Sequence, residues 1–453
     1  LYGVPRAGAA LVHGNTRHTA TELVAMLERC DARVVMGSSA QLERLSGVLP
    51  DSVSTVVCLD APCGSGAGWV GVDDLAGLAS PQDETARSAV TDAEVGVEDS
   101  DMAWLLYTSG TTGRAKGAML THRSLIAAAL NTTMSRPVAD DEVYLFPFPL
   151  FHVAAYNVVH HHLRQRPVVL LPSFEPVAAM AAIETESVTS VSLAPTMLAM
   201  LLDCPDRADH DISTLRTVSY GAAAMPLDVM RRSLAELPDV GLAQGYGMTE
   251  LSGNAAFLSP EDHRRAATTD PDLLTAAGRP APMTSLRIVS EDGSEAGTGE
   301  VGEIHVHGDQ VCAGYFDEPE VTAAAIVDGW LQTGDVGRID ERGYLHVVDR
   351  VKDIIITGGE NVSSREVEDA LGSHPAVRSI AVVGRADDRW GELVVAVVVL
   401  HPGSPTPAIE ELRAHCEHLA GFKHPRDVRV VEDLPTNASG KVDKVALRAL
   451  VAD

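Results

Sequence analysis

Apolar and polar positions change their rhythm twice along the chain. Between residues 101 and 250, short apolar runs alternate with longer stretches in which apolar positions recur at helical spacing. Ala103–Leu106, Pro167–Leu171, Val188–Leu193 and Leu215–Ser219 read as buried strands. Thr196–Asp203, Leu227–Leu237 and an Ala-rich stretch opening after Thr121 read as helices, with Thr121 placed to cap the last of these. This alternation predicts an α/β fold, a sheet covered by helices. Ahead of it, Thr19–Cys30 has the pattern of an amphipathic helix and Ala32–Gly37 that of a strand, whereas the Gly-, Asp- and Ser-rich segment 60–101 reads as a loop.

Beyond about residue 280 the pattern turns to strands. Leu286–Val289, Glu303–His307 and a hairpin around Asp340-Glu341-Arg342-Gly343 suggest a β-rich subdomain. From residue 350 the chain restarts as a small α+β unit. Ser363-Ser364-Arg365-Glu366 offers a capping box, Ala376–Val383 and Val394–Leu400 read as paired strands, and Ala408–Leu419 as a helix. The expected division is a large domain over 1–349 and a smaller one over 350–453. No internal repeat is evident.

Composition narrows the function. A hydrophobic content of 45% over 453 residues supports a large core and more than one domain. A formal net charge of −28 argues against nucleic acid or an anionic membrane surface as partner. No apolar run approaches the ~20 residues of a membrane-spanning helix, so integral membrane association is not expected. The six cysteines are scattered without a Cys-x-x-Cys pair, which suggests reduced thiols in a cytoplasmic protein. Only five of the basic residues are lysines, at 116, 352, 423, 441 and 444. Where arginine is the default cation, each lysine marks a place where a compact ammonium is preferred, unless its choice is chance.

The first lysine closes the segment Tyr107-Thr108-Ser109-Gly110-Thr111-Thr112-Gly113-Arg114-Ala115-Lys116-Gly117. Glycines that let backbone N–H groups approach closely, with hydroxyls and a lysine, suit a polyphosphate; read alone, a surface connection is the lesser alternative. It is not a P-loop of the Walker type, which requires Ser or Thr directly after the lysine, where Gly117 stands. A second segment, Gln244-Gly245-Tyr246-Gly247-Met248-Thr249-Glu250, sets an aromatic between glycines and a hydroxyl beside a carboxylate able to hold a hard cation.

These two segments, in this order, resemble the phosphate loop and the adenine-site signature of the adenylate-forming superfamily, in its acyl-CoA synthetase (fatty-acid–CoA ligase) branch. The family usually has Pro where Ala115 stands. The resemblance implies a fold with a small mobile C-terminal domain, ATP, Mg2+ and coenzyme A as cofactors, and a small-molecule carboxylic acid as substrate; it allows a homodimer. It places Thr108, Ser109, Gly110, Thr111, Thr112, Gly113 and Lys116 on phosphates, Tyr246 on adenine, Thr249 on the α-phosphate and Glu250 on the metal. Gln244, Gly245, Gly247 and Met248 complete that signature. Gly221-Ala222-Ala223-Ala224 would run along the adenine edge and one wall of the acyl pocket, although its alanines also suit close packing. His152, in Phe146-Pro147-Phe148-Pro149-Leu150-Phe151-His152, would guard the acyl entrance; a lone histidine is otherwise most often structural.

Asp335 would hold the ribose and Arg350 ribose and phosphate, and Lys352 would be the hinge between domains. Gly358-Gly359 would line the pantetheine tunnel. Lys441, in Pro435-Thr436-Asn437-Ala438-Ser439-Gly440-Lys441, would bridge the substrate carboxylate and phosphate. No Asp follows His152 shortly, where amino-acid-activating relatives hold the substrate ammonium, and Ala154 and Ala155 offer no aromatic platform. Both features lean towards an uncharged aliphatic acid of medium or long chain. His160-His161-His162 reads as structural, because adjacent side chains diverge. The family carries tens of residues ahead of the point matching Leu1, so a leading segment is expected to be absent. Two other readings stay open: a ligase that loads a carrier protein, and a non-catalytic acyl- or nucleotide-binding relative.

Overall fold

The computed structural model describes residues 1–60, 69–71, 96–108, 115–223, 225–437 and 441–452. It divides into two compact units, Leu1–Leu105 and Leu106–Asp453.

In the first unit, the helix Ala20–Arg29 opens on a capping box in which Thr19 and Glu22 exchange hydrogen bonds. A parallel three-stranded sheet joins Val34–Gly37, Thr55–Cys58 and Trp69–Gly71. The last of these corrects the expectation of loop throughout 60–101. Trp69 and Val70 supply just enough apolar surface to continue the sheet, too short a run to stand out among glycines and aspartates. Leu11–Val12 pairs in parallel with the start of the strand Met102–Thr108, Leu11 opposite Trp104.

The second unit is built on a seven-stranded sheet. Its order is Arg279–Pro280, Gly253–Leu258, Gly241–Met248, Thr217–Gly221, Ser190–Leu193, Tyr144–Phe146, Val168–Leu170. The pairings from Gly241–Met248 onwards are parallel, and the two joining Gly253–Leu258 to its neighbours are antiparallel. The expected strands and helices of this region are present within about two residues of their predicted ends. The period of two along each strand sorts side chains between faces. Val191, Leu193, Val218 and Tyr220 join a cluster with Met180, Ile183, Leu198, Leu201 and Met230 from the helices Pro176–Thr185, Pro195–Leu202 and Leu227–Glu236. Of the alternate residues, Tyr144 donates to Ser192 at 2.8 Å and stacks on His161 of the helix Tyr156–Leu163, and Ser219 accepts from Arg136, the residue that ends the helix His122–Ser135.

An antiparallel sheet follows, made of Ser285–Val289, Gly302–His307, Trp330–Ile339 and Ile326–Val327, with Leu345–Arg350 paired to Trp330–Ile339. The hairpin expected at residue 340 is there. Asp340 accepts from the N–H groups of Arg342 and Tyr344, both at 2.9 Å, while Gly343 takes a φ of 80°.

After residue 350, Glu360–Val362, Ile355–Thr357, Gly391–Leu400 and Val377–Asp387 form a sheet, with Asp427–Val430 parallel to Gly391–Leu400. The long pair matches as predicted, Ile380 opposite Val398. Its valine run is apolar on both sides because both faces are covered. Val394, Ala396 and Val398 pack with Val367, Leu371 and Leu412; Val395 and Val397 pack with Leu447 and Val451. The helix expected over Ala408–Leu419 is shorter, Ile409–His415, and tightens at Cys416, whose N–H is shared between the carbonyls of Leu412 and Arg413. The predicted capping box is half formed: Ser363 accepts from the N–H of Glu366, but the Glu366 carboxylate binds Lys423 at 2.7 Å.

Candidate active site

Ser109, Gly110, Thr111, Thr112 and Gly113 of the proposed phosphate loop lie outside the described residues. Its ends do not. Thr108 closes one strand, and Lys116 opens the strand Lys116–Thr121, whose carbonyl accepts from Thr108 Oγ1 at 3.4 Å. Beyond Lys116, the segment 313–316 runs along this strand. Phe316 N–H donates to the Gly117 carbonyl at 2.8 Å, and Met119 and Ala313 exchange bonds with Gly314 and Met119 at 2.9 Å each. The ammonium of Lys116 sits 5.1 Å from the centroid of the Tyr315 ring.

The signature Gln244–Glu250 is the end of the strand Gly241–Met248 and a 3-10 turn, Thr249–Leu251. Its glycines answer to close backbone approach. A Cβ on Gly245 would stand 2.2 Å from Asn254 Nδ2, one on Gly247 2.0 Å from the Gly253 carbonyl, and one on Gly221 2.7 Å from the Gly245 carbonyl oxygen. Gly221 ends its strand and leads into Ala222, held at a φ of 68°, and Ala223. The turn bearing Glu250 is anchored from below. Gln310 donates to the carbonyls of Leu251 and Asn254 at 3.1 Å, Ser252 takes a left-handed φ of 54°, and its hydroxyl reaches Ser124 at 2.9 Å. Glu250 is 8% exposed and accepts from the Tyr315 hydroxyl at 3.0 Å.

Tyr246 donates its hydroxyl to Asp335 Oδ2 at 2.8 Å, and Arg350 Nε meets Asp335 Oδ1 at 2.9 Å. Asp335 and Arg350 face each other across two paired strands, so register alone sets this ion pair. Burial, and then the Asp335 charge, push the Tyr246 phenol well above its usual range.

Lys441 reaches the same place. Paired backbone presents it: Asn437 N–H donates to the Lys441 carbonyl at 2.8 Å and Asn437 Oδ1 accepts from the Lys441 N–H at 3.1 Å. Lys441 retains exposed surface, but protein crowded round its ammonium lowers its pKa, and Arg350 lowers it further, against the pull of Asp335 and Glu250. His152 lies within reach of the Lys441 charge. Burial, then Lys441, bring its pKa down to about 4, so the ring is neutral near pH 7. Its Nδ1 accepts from Ala154 N–H at 3.1 Å, and its ring stacks on Phe148. Lys116, Glu250, Asp335, Arg350, His152 and Lys441 thus share one neighbourhood.

Two further predicted groups follow Arg350 in the chain. Lys352 lies in the 3-10 turn Val351–Asp353, where burial lowers its pKa. Arg448 brackets that turn, donating to the Lys352 carbonyl at 3.0 Å and to Asp353 at 2.7 Å. Gly358 and Gly359 form the tight turn between Ile355–Thr357 and Glu360–Val362, with φ of 62° and 83°. Gly358 N–H donates to the Trp390 carbonyl at 2.7 Å, and Trp390 is clasped by Arg426, 4.2 Å from its ring centroid.

The remaining lysines are structural. Lys423 pairs with Glu366, and Lys444 with Glu368 at 2.9 Å and Ser364. His160 and His161 are buried in separate hydrogen bonds, to Thr133 at 2.9 Å and to Glu142 at 3.0 Å, with His161 stacked on Tyr144 at 3.8 Å. Sequence reading passed over Tyr315, which touches both Lys116 and Glu250. It also gave no role to Asp349, whose carboxylate takes the N–H and hydroxyl of Ser364 at 2.6 and 2.8 Å.

Comparison with known proteins gives the family. The AMP-binding enzyme family matches residues 1–316, and the AMP-binding enzyme C-terminal domain matches residues 366–441. The 3-[(3aS,4S,7aS)-7a-methyl-1,5-dioxo-octahydro-1H-inden-4-yl]propanoyl:CoA ligase of Rhodococcus jostii is 38% identical over 98% of this chain and 85% of its own length. A feruloyl-CoA synthase from Amycolatopsis is 38% identical over 99% of this chain and 85% of its own. Among solved structures, the amide bond synthetase McbA from Marinactinospora thermotolerans superposes with a TM-score of 0.87 at 32% identity, covering 99% of this chain and 86% of that one. The chain belongs to the AMP-binding enzyme family, the adenylate-forming superfamily expected from its motifs. Within that family it is an enzyme of the AMP-forming acid–thiol ligase class.

Proposed function

We propose that this protein activates a carboxylic acid with ATP and passes the acyl group to coenzyme A. A carboxylate oxygen attacks the α-phosphorus, pyrophosphate leaves, and the acyl-adenylate remains. The thiol sulfur of CoA then forms a bond to the acyl carbon, the bond to the AMP oxygen breaks, and the thiol gives up its proton. The observation that carries this reading is the convergence of Lys441 with Glu250, Asp335 and Arg350, from segments almost two hundred residues apart. Positioning and charge stabilisation are what such a site supplies. Lys441 and Lys116 would neutralise the negative charge that gathers on the phosphate, and Thr249 would donate to it. Tyr246 would offer adenine its face, while Asp335 and Arg350 would hold the ribose.

Glu250 fits a hard cation. It is a buried carboxylate that forms no ion pair among the described residues, and a magnesium ion on nucleotide phosphates takes one or two carboxylates. When bound, that ion would neutralise phosphate charge. Neutral His152 can neither repel Lys441 nor pair with the incoming carboxylate, which suits a residue at the acyl entrance.

In this reading, residues 1–349 form the adenylation domain and 350–453 a mobile domain that turns about Lys352. The turn would withdraw Lys441 and bring in Gly358-Gly359 for the second step. The two glycines form an exposed tight turn without side chains, which suits a tunnel edge. A medium- or long-chain aliphatic acid is the preferred substrate, because Ala154, Ala222 and Ala223 leave room and no carboxylate follows His152. The same space admits the ring-bearing acids for which the relatives are named. A cytoplasmic location agrees with the five described cysteines, none of which is in a disulfide with another described residue. An amine in place of CoA is the second reading, favoured by the likeness to an amide bond synthetase.

The test is pyrophosphate release against a panel of aliphatic and ring-bearing acids, with AMP release followed with CoA, with an amine, and with neither. Acid-dependent pyrophosphate and CoA-dependent AMP are expected. Pyrophosphate with no acid tried would overturn the proposal, as would AMP release that follows the amine and ignores CoA.

A further inference from the structure

Lys116 and Glu250 are opposite charges in one small site, which in an empty pocket would be expected to close on each other. Neither forms an ion pair among the described residues. Tyr315 stands between them, 9% exposed, its ring under the ammonium and its hydroxyl on the carboxylate. Its own position is rigidly set. Its N–H donates to Thr322 Oγ1 at 2.8 Å, it bridges to Ala118 on the Lys116 strand, and Cys312, three residues earlier, donates to the Glu250 carbonyl at 2.8 Å. One short segment therefore grips both the backbone and the side chain of Glu250 while it lies along the strand of Lys116.

We propose that Tyr315 is a positioning residue that holds the phosphate-binding ammonium and the metal-binding carboxylate apart and correctly aimed. This inference rests on the proposed roles of Lys116 and Glu250. The chemistry is reciprocal. Donating a hydrogen bond to an anion enriches the phenol ring in electron density, and an electron-rich ring face attracts the ammonium. Glu250 thus helps to keep Lys116 on the ring and off its own oxygens. The hydroxyl occupies Oε1, which orients the carboxylate and leaves Oε2 to face a cation on the polyphosphate.

Calorimetric ATP binding, with and without Mg2+, separates the two parts. Tyr315→Phe keeps the ring as spacer but frees the carboxylate. ATP affinity without metal is expected to stay within about twofold of the parent, and the strengthening by Mg2+ to shrink about tenfold, in line with loss of a hydrogen bond to a charged group. Tyr315→Leu removes the ring, so metal-free affinity is expected to fall about fivefold as Lys116 closes on Glu250. Adding Glu250→Gln to Tyr315→Leu should restore that metal-free affinity, which a merely structural loss would not allow. Full Mg2+ enhancement in Tyr315→Phe, or no recovery in the double variant, overturns the proposal. If Tyr315→Leu does not fold, judged by thermal melting, the Phe variant decides alone. A parent protein that binds no ATP at all would instead overturn the functional reading on which this one stands.

Discussion

Replacing Lys441 by alanine removes a cation whose charge acts on the site of Glu250 and Asp335. Lys116 and Arg350 remain, so nucleotide binding should largely survive, while charge developing on the α-phosphate loses one preorganised partner. Loss of a single such donor typically lowers the chemical step by about 10²–10³-fold. The expected result is therefore a drop of about that size in acid-dependent pyrophosphate formation. AMP release from supplied acyl-adenylate plus CoA should change little, because the reading withdraws Lys441 from the site in that step. Equal losses in both half-reactions would refute the assignment. The pH dependence gives a second check with a defined sign. An ammonium is present below its pKa, and that of Lys441 is lowered by burial and Arg350 from the ordinary 10.5. Adenylation should fail as pH rises through that lowered value, below pH 10.5. Lys441→Arg, which stays charged, should lose this alkaline limb; a limb that persists unchanged in the arginine variant points to another group.

Other parts of the site yield shorter tests. Gly221→Ala puts a Cβ 2.7 Å from the Gly245 carbonyl oxygen, so the strands must part, at a cost of about 1–3 kcal/mol seen as a lower melting temperature with weakened ATP binding. Gly358→Ala meets the Trp390 ring at 3.1 Å at a left-handed φ of 62°; thioester formation should fall while pyrophosphate release holds. Asp349→Asn exchanges a charged acceptor for a neutral amide at the start of the helix Ser364–Gly372, with a cost of about 1–3 kcal/mol in urea unfolding. Burial would raise the Glu142 carboxyl, but hydrogen bonds from His161, Ser190 and Ala139 outweigh it and hold the pKa at about 2. Burial also lowers that of His161. Both groups bind protons less readily folded than unfolded, so stability should be lost on acidification, first below pH 6.5 for His161, then from 4.5 towards 2 for Glu142. Glu142→Gln should flatten the lower part of that curve.

What could be read in the sequence was whatever repeats at short range. Strand and helix positions in 101–250 came from local periodicity and were displaced by only a residue or two at their ends. The strand Trp69–Gly71 escaped because three residues do not make a period, and it exists only by pairing with Thr55–Cys58. The capping box at Ser363 was half right for a similar reason. Glu366 could bond back to its own helix start, but Lys423, 57 residues away, offered a full charge instead. The glycines of 244–250 were recognised as a motif. Why each must be glycine was not legible, because the atoms they avoid, Asn254 Nδ2 and the Gly253 carbonyl oxygen, lie on the neighbouring strand.

Tyr315 shows the limit most clearly. Nothing in its own neighbourhood marks it as more than one aromatic beside a glycine, and its hydrogen-bond partner lies 65 residues away. Its role depends on two pairings at once: segment 313–316 against the strand of Lys116, and Cys312 against the turn of Glu250. A motif search finds the two charges because each sits in a distinctive string. It cannot find what keeps them from meeting, since that property belongs to the gap between the strings. Lys441 is the opposite case, a residue visible in its string whose proposed role depends on travel. A charge carried on a separate, mobile segment can be in place for one step and absent for the next, whereas a spacer wedged between two fixed strands acts at all times. If both assignments hold, Lys441→Ala will lower adenylation with ATP binding largely intact, whereas Tyr315→Phe will lower it through the Mg2+-dependent part of ATP binding.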